Sequence, residues 1–462
     1  MYAYVIQDKI NPDDLSVYGK APTPRTVLVL ERDLQRLLTS FPFDKIIHDS
    51  CQGVLANPFG PTFFWALAGE SIALPTPYPH YLNPEDYAAL LKKGEINPDD
   101  LRSWGLEIPP PVVKHYNLRM GDKVEVKVEV EDGLVYIVSV NGLSDWSFIR
   151  NRPFLDERPP RTSYPTEILP LDKVPLYFKG SDGKERRSIA LRMLYLLAPL
   201  GKGSVCYLSG RGGLGKTFIM RDTWKALLSL TLSDPKLYLL LVFIGERAED
   251  LDAYLGDMAV TGHDPSRVEV LYATKNTLPL FQWQMAEFAF HRANVLALQC
   301  DLVELVDSAS RMVDAYRAVA DPSEGLVSGG IPVGAITTVA RMVGMGGSFP
   351  DLGASKTILS SVLDGDPRGD PLAIFAQLTV ENNTTAKWVL TDAVTAPFPR
   401  ISVVPGQTVT RWPQLFCLPG LLHEQQEVFE RFFKGPKGEL LPPQIVHSSL
   451  LQYCEGNPDP DY

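Results

Sequence analysis

Residues Gly210 to Thr217 read GRGGLGKT, the spacing G-x-x-x-x-G-K-[ST]. Each residue type in it has a physical task. Gly210, Gly212, Gly213 and Gly215 permit backbone dihedrals that side chains resist, so successive N–H groups, Leu214 and Phe218 included, turn inward on a phosphate. Lys216 sets a point charge against β- and γ-phosphates, and Thr217 offers a hydroxyl to Mg²⁺. A glycine-rich turn could match by accident. The flanks argue otherwise: Val205 to Leu208 is a short apolar run that predicts a buried strand, and Phe218 to Leu228 predicts a helix whose N-terminus faces the anion.

Breaking a phosphoanhydride also needs a polarised water, a metal and charge compensation. The apolar run Leu237 to Ile244 predicts a central strand, and it ends in Gly245-Glu246-Arg247. A carboxylate there can orient water as general base, and Arg247 can reach a phosphate oxygen. The competing reading of this pair is an exposed helix start, since AEDLDAY follows. A second strand, Asp301 to Val306, leads into Asp307, the place for a metal-orienting acid. Glu304 inside that strand is anomalous, because a buried carboxylate without a partner is costly; it must face a solvated seam or pair with an arginine.

Strands and helices alternate around these residues. Helices are expected at Ala248 to Met258 and Phe281 to Ala297, and strands at Val268 to Ala273, Lys356 to Leu363 and Trp388 to Leu390. That alternation predicts an α/β fold with a mostly parallel sheet. Upstream, Lys123 to Val130 (KVEVKVEV) alternates strictly, and Asp132-Gly133 signals a hairpin into Leu134 to Val140. The aromatics Phe63, Phe64 and Trp65 can stack bases or fill a core. The hexapeptide INPDDL occurs at Ile10 and Ile96, with LNPEDY at Leu82; it reads as a helix start, Asn capping and Pro at the first position.

At 462 residues the chain exceeds one core. Proline clusters in Arg152 to Pro175 predict an extended linker, and the tail ending EGNPDPDY is expected to fray. The expected division is an N-terminal segment (1–50), a small barrel (51–150), a Pro-rich linker (151–184), the nucleotide domain (185–434) and a C-terminal tail (435–462). No run of eighteen apolar residues and no basic-then-apolar start are present, so a cytoplasmic protein without a membrane span is expected. Five dispersed cysteines read as reduced thiols. A net charge of −11 argues against a non-specific coat on nucleic acid, though not against a local basic channel.

These residues together resemble the transcription termination factor Rho family, ring-shaped RecA-type motors. The resemblance runs through PLGKG (Pro199 to Gly203), the GRGGLGKT loop, GER (Gly245 to Arg247), DSASRMVDAYR (Asp307 to Arg317) and SGG (Ser328 to Gly330) with Ala340-Arg341. Upstream, YNLRMGD (Tyr116 to Asp122) is similar to a segment of the family's RNA-binding cold-shock barrel. The resemblance implies a RecA-like P-loop ATPase core preceded by an OB or cold-shock-like β-barrel. It implies ATP and Mg²⁺ as cofactors, single-stranded RNA and RNA polymerase as partners, and a homo-hexameric ring. Lys216, Thr217, Glu246, Arg247 and Asp307 then take nucleotide-site roles, Phe398 stacks on adenine, and Phe63, Phe64, Trp65, Arg119, Arg341 and Arg368 stand toward RNA.

The departures are specific. Gly325 in SEGLVSGG stands where the family has a channel lysine. After FPRIS the chain reads VVPGQTVTR, leaving only Arg411, out of register, for the arginine finger. Loss of such a finger costs roughly 10³–10⁵ in rate. Two functions from different classes follow: an RNA-stimulated translocase, or a nucleotide-binding ring with slow turnover and a structural or regulatory role. Rotary and export ATPases also carry a GER element, but YNLRMGD does not fit their N-terminal domain.

Overall fold

The computed structural model describes residues 2–7, 26–43, 64–67, 70–71, 106–108, 110–129, 134–155, 167–177, 186–327, 330–364, 384–394, 398–411 and 419–456. The chain divides into two compact units: residues 1–157 with 287–296, and residues 158–286 with 297–462. The INPDDL and LNPEDY hexapeptides, Phe63 and Arg368 lie outside the described residues.

The first unit holds β1 (Tyr2–Gln7), β2 (Thr26–Leu30), β3 (Phe64–Leu67), β4 (Glu70–Ser71), β5 (Leu106–Glu107), β6 (Lys123–Glu129) and β7 (Leu134–Val140). They form one sheet in the order β4-β3-β7-β6-β1-β2-β5, antiparallel except where β3 meets β7. Alternation in β6 works as expected. Val124 and Val126 enter a core with Val5, Leu28, Ile137 and Val140, while Lys127 is exposed. Two strands of this sheet, β1 and β2, lie within residues 1–50, the expected N-terminal segment. Their apolar runs explain why they join the sheet: Ala3 to Ile6 and Val27 to Leu30 are buried throughout. Helices α1 (Glu31–Leu38), α2 (Pro110–Tyr116) and α3 (Trp146–Asn151) accompany the sheet.

The second unit begins with the short pair β8 (Pro175–Tyr177) and β9 (Arg186–Arg187), then α4 (Ile189–Leu197), β10 (Val205–Gly210), α5 (Lys216–Leu230), β11 (Leu237–Ile244) and α6 (Ala248–Val260). Next come β12 (Val268–Ala273), α7 (Pro279–Leu296), whose residues 287–296 belong to the first unit, β13 (Asp301–Asp307) and α8 (Ala309–Val319). The pair β14 (Leu326–Val327) and β15 (Ile331–Pro332) precedes α9 (Val333–Gly344), β16 (Gly347–Phe349), β17 (Ala354–Leu363), β18 (Ala386–Val389) and β19 (Val409–Thr410). Helices α10 (Pro419–Val428) and α11 (Pro443–Gly456) close the described chain.

The sheet runs β12-β11-β13-β17-β10-β18-β19, with β16 also on β17. From β12 to β18 all pairs are parallel; β16 and β19 join antiparallel. The fold is therefore α/β with a mostly parallel sheet. Central strands buried on both faces explain the unbroken apolar runs that marked them. The register matters for function. Gly210 lies opposite Leu363 and Asp307 opposite Phe243, so the carboxyl ends of four strands reach one edge. In open parallel sheets that edge is where ligands bind.

Glu304 is answered by a lysine, where an arginine or a wet seam was expected. The Lys356 ammonium of neighbouring β17 lies 3.2 Å from its carboxylate, and the side chains are 0% and 5% exposed. The proline-rich stretch is partly packed as well. Leu169, Leu171 and Val174 are buried in the core, and Asp172 pairs with Arg192 of α4 at 3.1 Å. The tail expected to fray carries α11, because Val446, Leu450 and Cys454 give it an apolar stripe buried in that core.

Candidate nucleotide site

The loop between β10 and α5 is built by glycine. Gly213 and Gly215 sit at φ of 79° and 95°, where an L side chain is strained. Gly215 is doubly constrained, since a Cβ there would stand 2.9 Å from the Phe398 ring. At Gly212 and Gly213 a Cβ would meet nothing within 4 Å, which leaves the cradle open for an anion. The Lys216 ammonium turns onto the loop's own carbonyls, donating to Gly210 O at 2.5 Å and Arg211 O at 3.1 Å. Those are contacts a phosphate would replace. Thr217 follows in the first turn of α5, whose N–H groups and dipole favour negative charge.

Charges converge on this lysine. Burial lowers its pKa, and Asp307, Glu246 and Asp364 pull it back up, with Arg311 opposing them. Glu246, just before α6, accepts a hydrogen bond from Ser308 Oγ at 2.7 Å and lies 3.4 Å from the Arg311 guanidinium. Asp307 ends β13 beneath them, buried. Burial pushes its carboxyl up to about 6, with the like charge of Glu246 adding to the rise. Hydrogen bonds from Ser361 Oγ (2.5 Å) and the Tyr254 hydroxyl (3.1 Å) hold it. Phe398 and Phe218 stand beside the loop, their rings 5.6 Å apart and tilted 52°, both substantially exposed. His447 of α11 meets the carbonyl of Pro399 at 2.8 Å and pins the backbone next to Phe398.

The residues fit a nucleotide and a metal of a particular kind. Among the described residues no three His, Cys, Asp or Glu side chains cluster to cage an ion. Mg²⁺ needs no such cage. It keeps waters and is held by one or two protein oxygens together with substrate phosphates, a role open to Thr217 and Asp307.

Residues 190–404 match the nucleotide-binding domain of the ATP synthase alpha/beta family. The chain is 31% identical over 268 residues to transcription termination factor Rho of Streptosporangium roseum, covering 57% of this chain and 61% of that protein. It is 27% identical over 289 residues to Rho of Aquifex aeolicus, covering 61% and 60%. The chain is thus similar to Rho over part of its length. It spans about three-fifths of the length of these two relatives. Among solved structures, an ATPase from a type III secretion system overlays at a TM-score of 0.44 with 20% identity, over 54% of this chain and 69% of that one.

The remaining expected residues are placed by their elements. Arg247 is exposed at the start of α6. Arg411 is exposed directly after β19, its backbone N–H bonded to Thr385 O. Arg341 is exposed in the last turn of α9. Arg119, expected toward RNA, is corrected by its surroundings. It is 7% exposed, donates to the carbonyls of Pro153 and Arg152, and stacks 3.7 Å over the Phe154 ring. Its fork is consumed inside its own unit. Phe64 and Trp65 lie in β3. Conversely, Tyr254 and Ser361 carried no signal: a tyrosine in a helix and a serine in a strand are ordinary. Ser308 and Arg311 sat within the DSASR motif without an assigned role. Among the described residues no helix is long and apolar enough to cross a membrane.

Proposed function

We propose that this Rho-like chain binds ATP with Mg²⁺ and hydrolyses it, and that hydrolysis drives a ring of copies along single-stranded RNA. One observation carries the reading: Lys216, Asp307 and Glu246, from three different elements, converge electrostatically beside an open glycine cradle. Bound Mg²⁺ would neutralise charge on the phosphates. The loop N–H groups and Lys216 hold the β- and γ-phosphates, and Thr217 with Asp307 faces the metal side. Ser308 and Arg311 hold one oxygen of Glu246, and the other oxygen would take a proton from the attacking water as general base. Water oxygen bonds to phosphorus, the bridge to the β-phosphate breaks, and Glu246 takes the water's proton. ADP and phosphate leave. Phe398 and Phe218 offer apolar faces to the base.

The relatives' name, transcription termination factor, supports a role in transcription; single-stranded RNA as the polymer, RNA polymerase as a partner and a hexamer as the assembly are what the sequence motifs' resemblance implies. ATPase assays with and without single-stranded RNA, beside mass measurement with nucleotide, test this. An equal rate in both refutes the motor. A second reading, a slow nucleotide-binding ring with a structural role, is favoured by Gly325 at the channel lysine's position and by the displaced Arg411. It predicts assembly with nucleotide but negligible turnover.

A further inference from the structure

Both oxygens of Asp307 are held by protein hydroxyls, and the two holds differ in kind. Ser361 reaches Oδ1 from β17, the strand beside β13. Tyr254 reaches Oδ2 from α6, the helix that starts two residues after Glu246. The tyrosine is fully buried. Its ring is wedged edge-on against Trp224 of α5 (6.5 Å, 75°) and Phe243 of β11 (6.0 Å, 70°). One turn along α6, Asp257 takes a two-pronged grip from Arg221 of α5 at 2.7 and 2.8 Å. The helix after Glu246 is thus clamped to the helix of the phosphate loop. The phenol oxygen lies in the plane of a ring that cannot turn, so its direction is set by packing. A buried phenol needs a polar partner, and here it is the acid of the metal side.

Building on the ATPase reading, we propose that Tyr254 is a positioning residue for the metal. Its hydroxyl fixes the carboxylate of Asp307 and so sets how much Mg²⁺ strengthens nucleotide binding. The same hydrogen bond ties that carboxylate to the helix that follows Glu246, so the metal side and the water side of the site are aligned by one side chain. Partners of this outer kind are worth roughly 10–100-fold in metal affinity or activity. A tyrosine that merely fills the core would matter for stability and not for metal.

Tyr254→Phe separates the two, because it keeps the ring and both edge-on contacts and deletes one oxygen. In the full chain, the dissociation constant of a fluorescent ADP is measured in EDTA and in Mg²⁺, and their ratio gives the metal's contribution. The expected result is a ratio about tenfold smaller in Tyr254→Phe, with the EDTA constant unchanged. Thermal melting checks that the variant is folded; Tyr254→Leu makes the same comparison should it not be. A wild type that binds ADP more tightly with Mg²⁺, alongside a variant whose ratio agrees within twofold, overturns this assignment alone. A wild type with no affinity for ADP overturns the nucleotide reading and this assignment with it.

Discussion

Glu304→Leu combined with Lys356→Met should leave the nucleotide unit about as stable as the wild type, while either change alone destabilises it. The side chains are 5% and 0% exposed and 3.2 Å apart. At an effective dielectric near 20 their attraction is about 5 kcal/mol. Desolvation of each ion costs several kcal/mol, so the pair sits near balance and hydrocarbon of similar volume can replace it. Breaking it from one side costs about 3–5 kcal/mol. The two single variants should also differ. Burial holds the Glu304 carboxyl above its ordinary range, with Lys356 pulling it down. In Lys356→Met that restraint is gone, and the acid escapes by taking a proton. A folded-state pKa above the unfolded value means protonation favours the fold. The Lys356→Met penalty should therefore shrink as pH falls from 8 toward 5. Guanidinium titrations followed by tryptophan fluorescence measure this, since Trp224 and Trp388 are buried in that unit's core. The reasoning fails if the double variant loses the sum of the singles, or if the Lys356→Met penalty is flat with pH.

Three further outcomes are expected. Glu246→Gln should lower the ATPase rate by roughly 10²–10⁴ while fluorescent-nucleotide affinity stays within a few-fold; an unchanged rate removes Glu246 as base. Gly215→Ala should cost roughly 1–2 kcal/mol in backbone strain alone and abolish nucleotide binding by pushing on Phe398, seen by melting and ADP titration. Lys202 contacts Asp234, Asp301 and Glu167 at 2.7, 3.1 and 3.1 Å. Burial opposes its charge, yet the hydrogen bonds to Asp234 and Asp301 prevail and raise its pKa; Asp234 is lowered, with Lys202 outweighing burial. A lowered carboxylate stabilises above its unfolded value and a raised ammonium below its own. The penalty of Lys202→Met should be constant from about pH 5 to 9 and shrink below about pH 4; urea melts across that range check it.

Local chemistry made much of the nucleotide unit legible. Glycines at 213 and 215 adopt the positive φ that only they tolerate cheaply, and the unbroken apolar run of Leu237–Ile244 is the strand it predicted, because a strand covered on both faces has no wet side to alternate. Glu246 and Asp307 stood out in the sequence because each lies at the carboxyl end of such a strand, Asp307 as the last residue of β13 and Glu246 two residues past β11, where a parallel sheet presents its ligand edge. What the sequence left open depends on partners far along the chain. Lys356 lies 52 residues from the Glu304 it neutralises, and strand register brings them together. Arg119 looked free for a polymer until packing spent it on Pro153 and Arg152. Tyr254 is an ordinary core aromatic by type; only the packing of α6 on the sheet aims its hydroxyl at Asp307. Backbone preference and burial pattern are written residue by residue, whereas the pairing of buried polar groups is set when the elements close on one another, and that decided how the site is held.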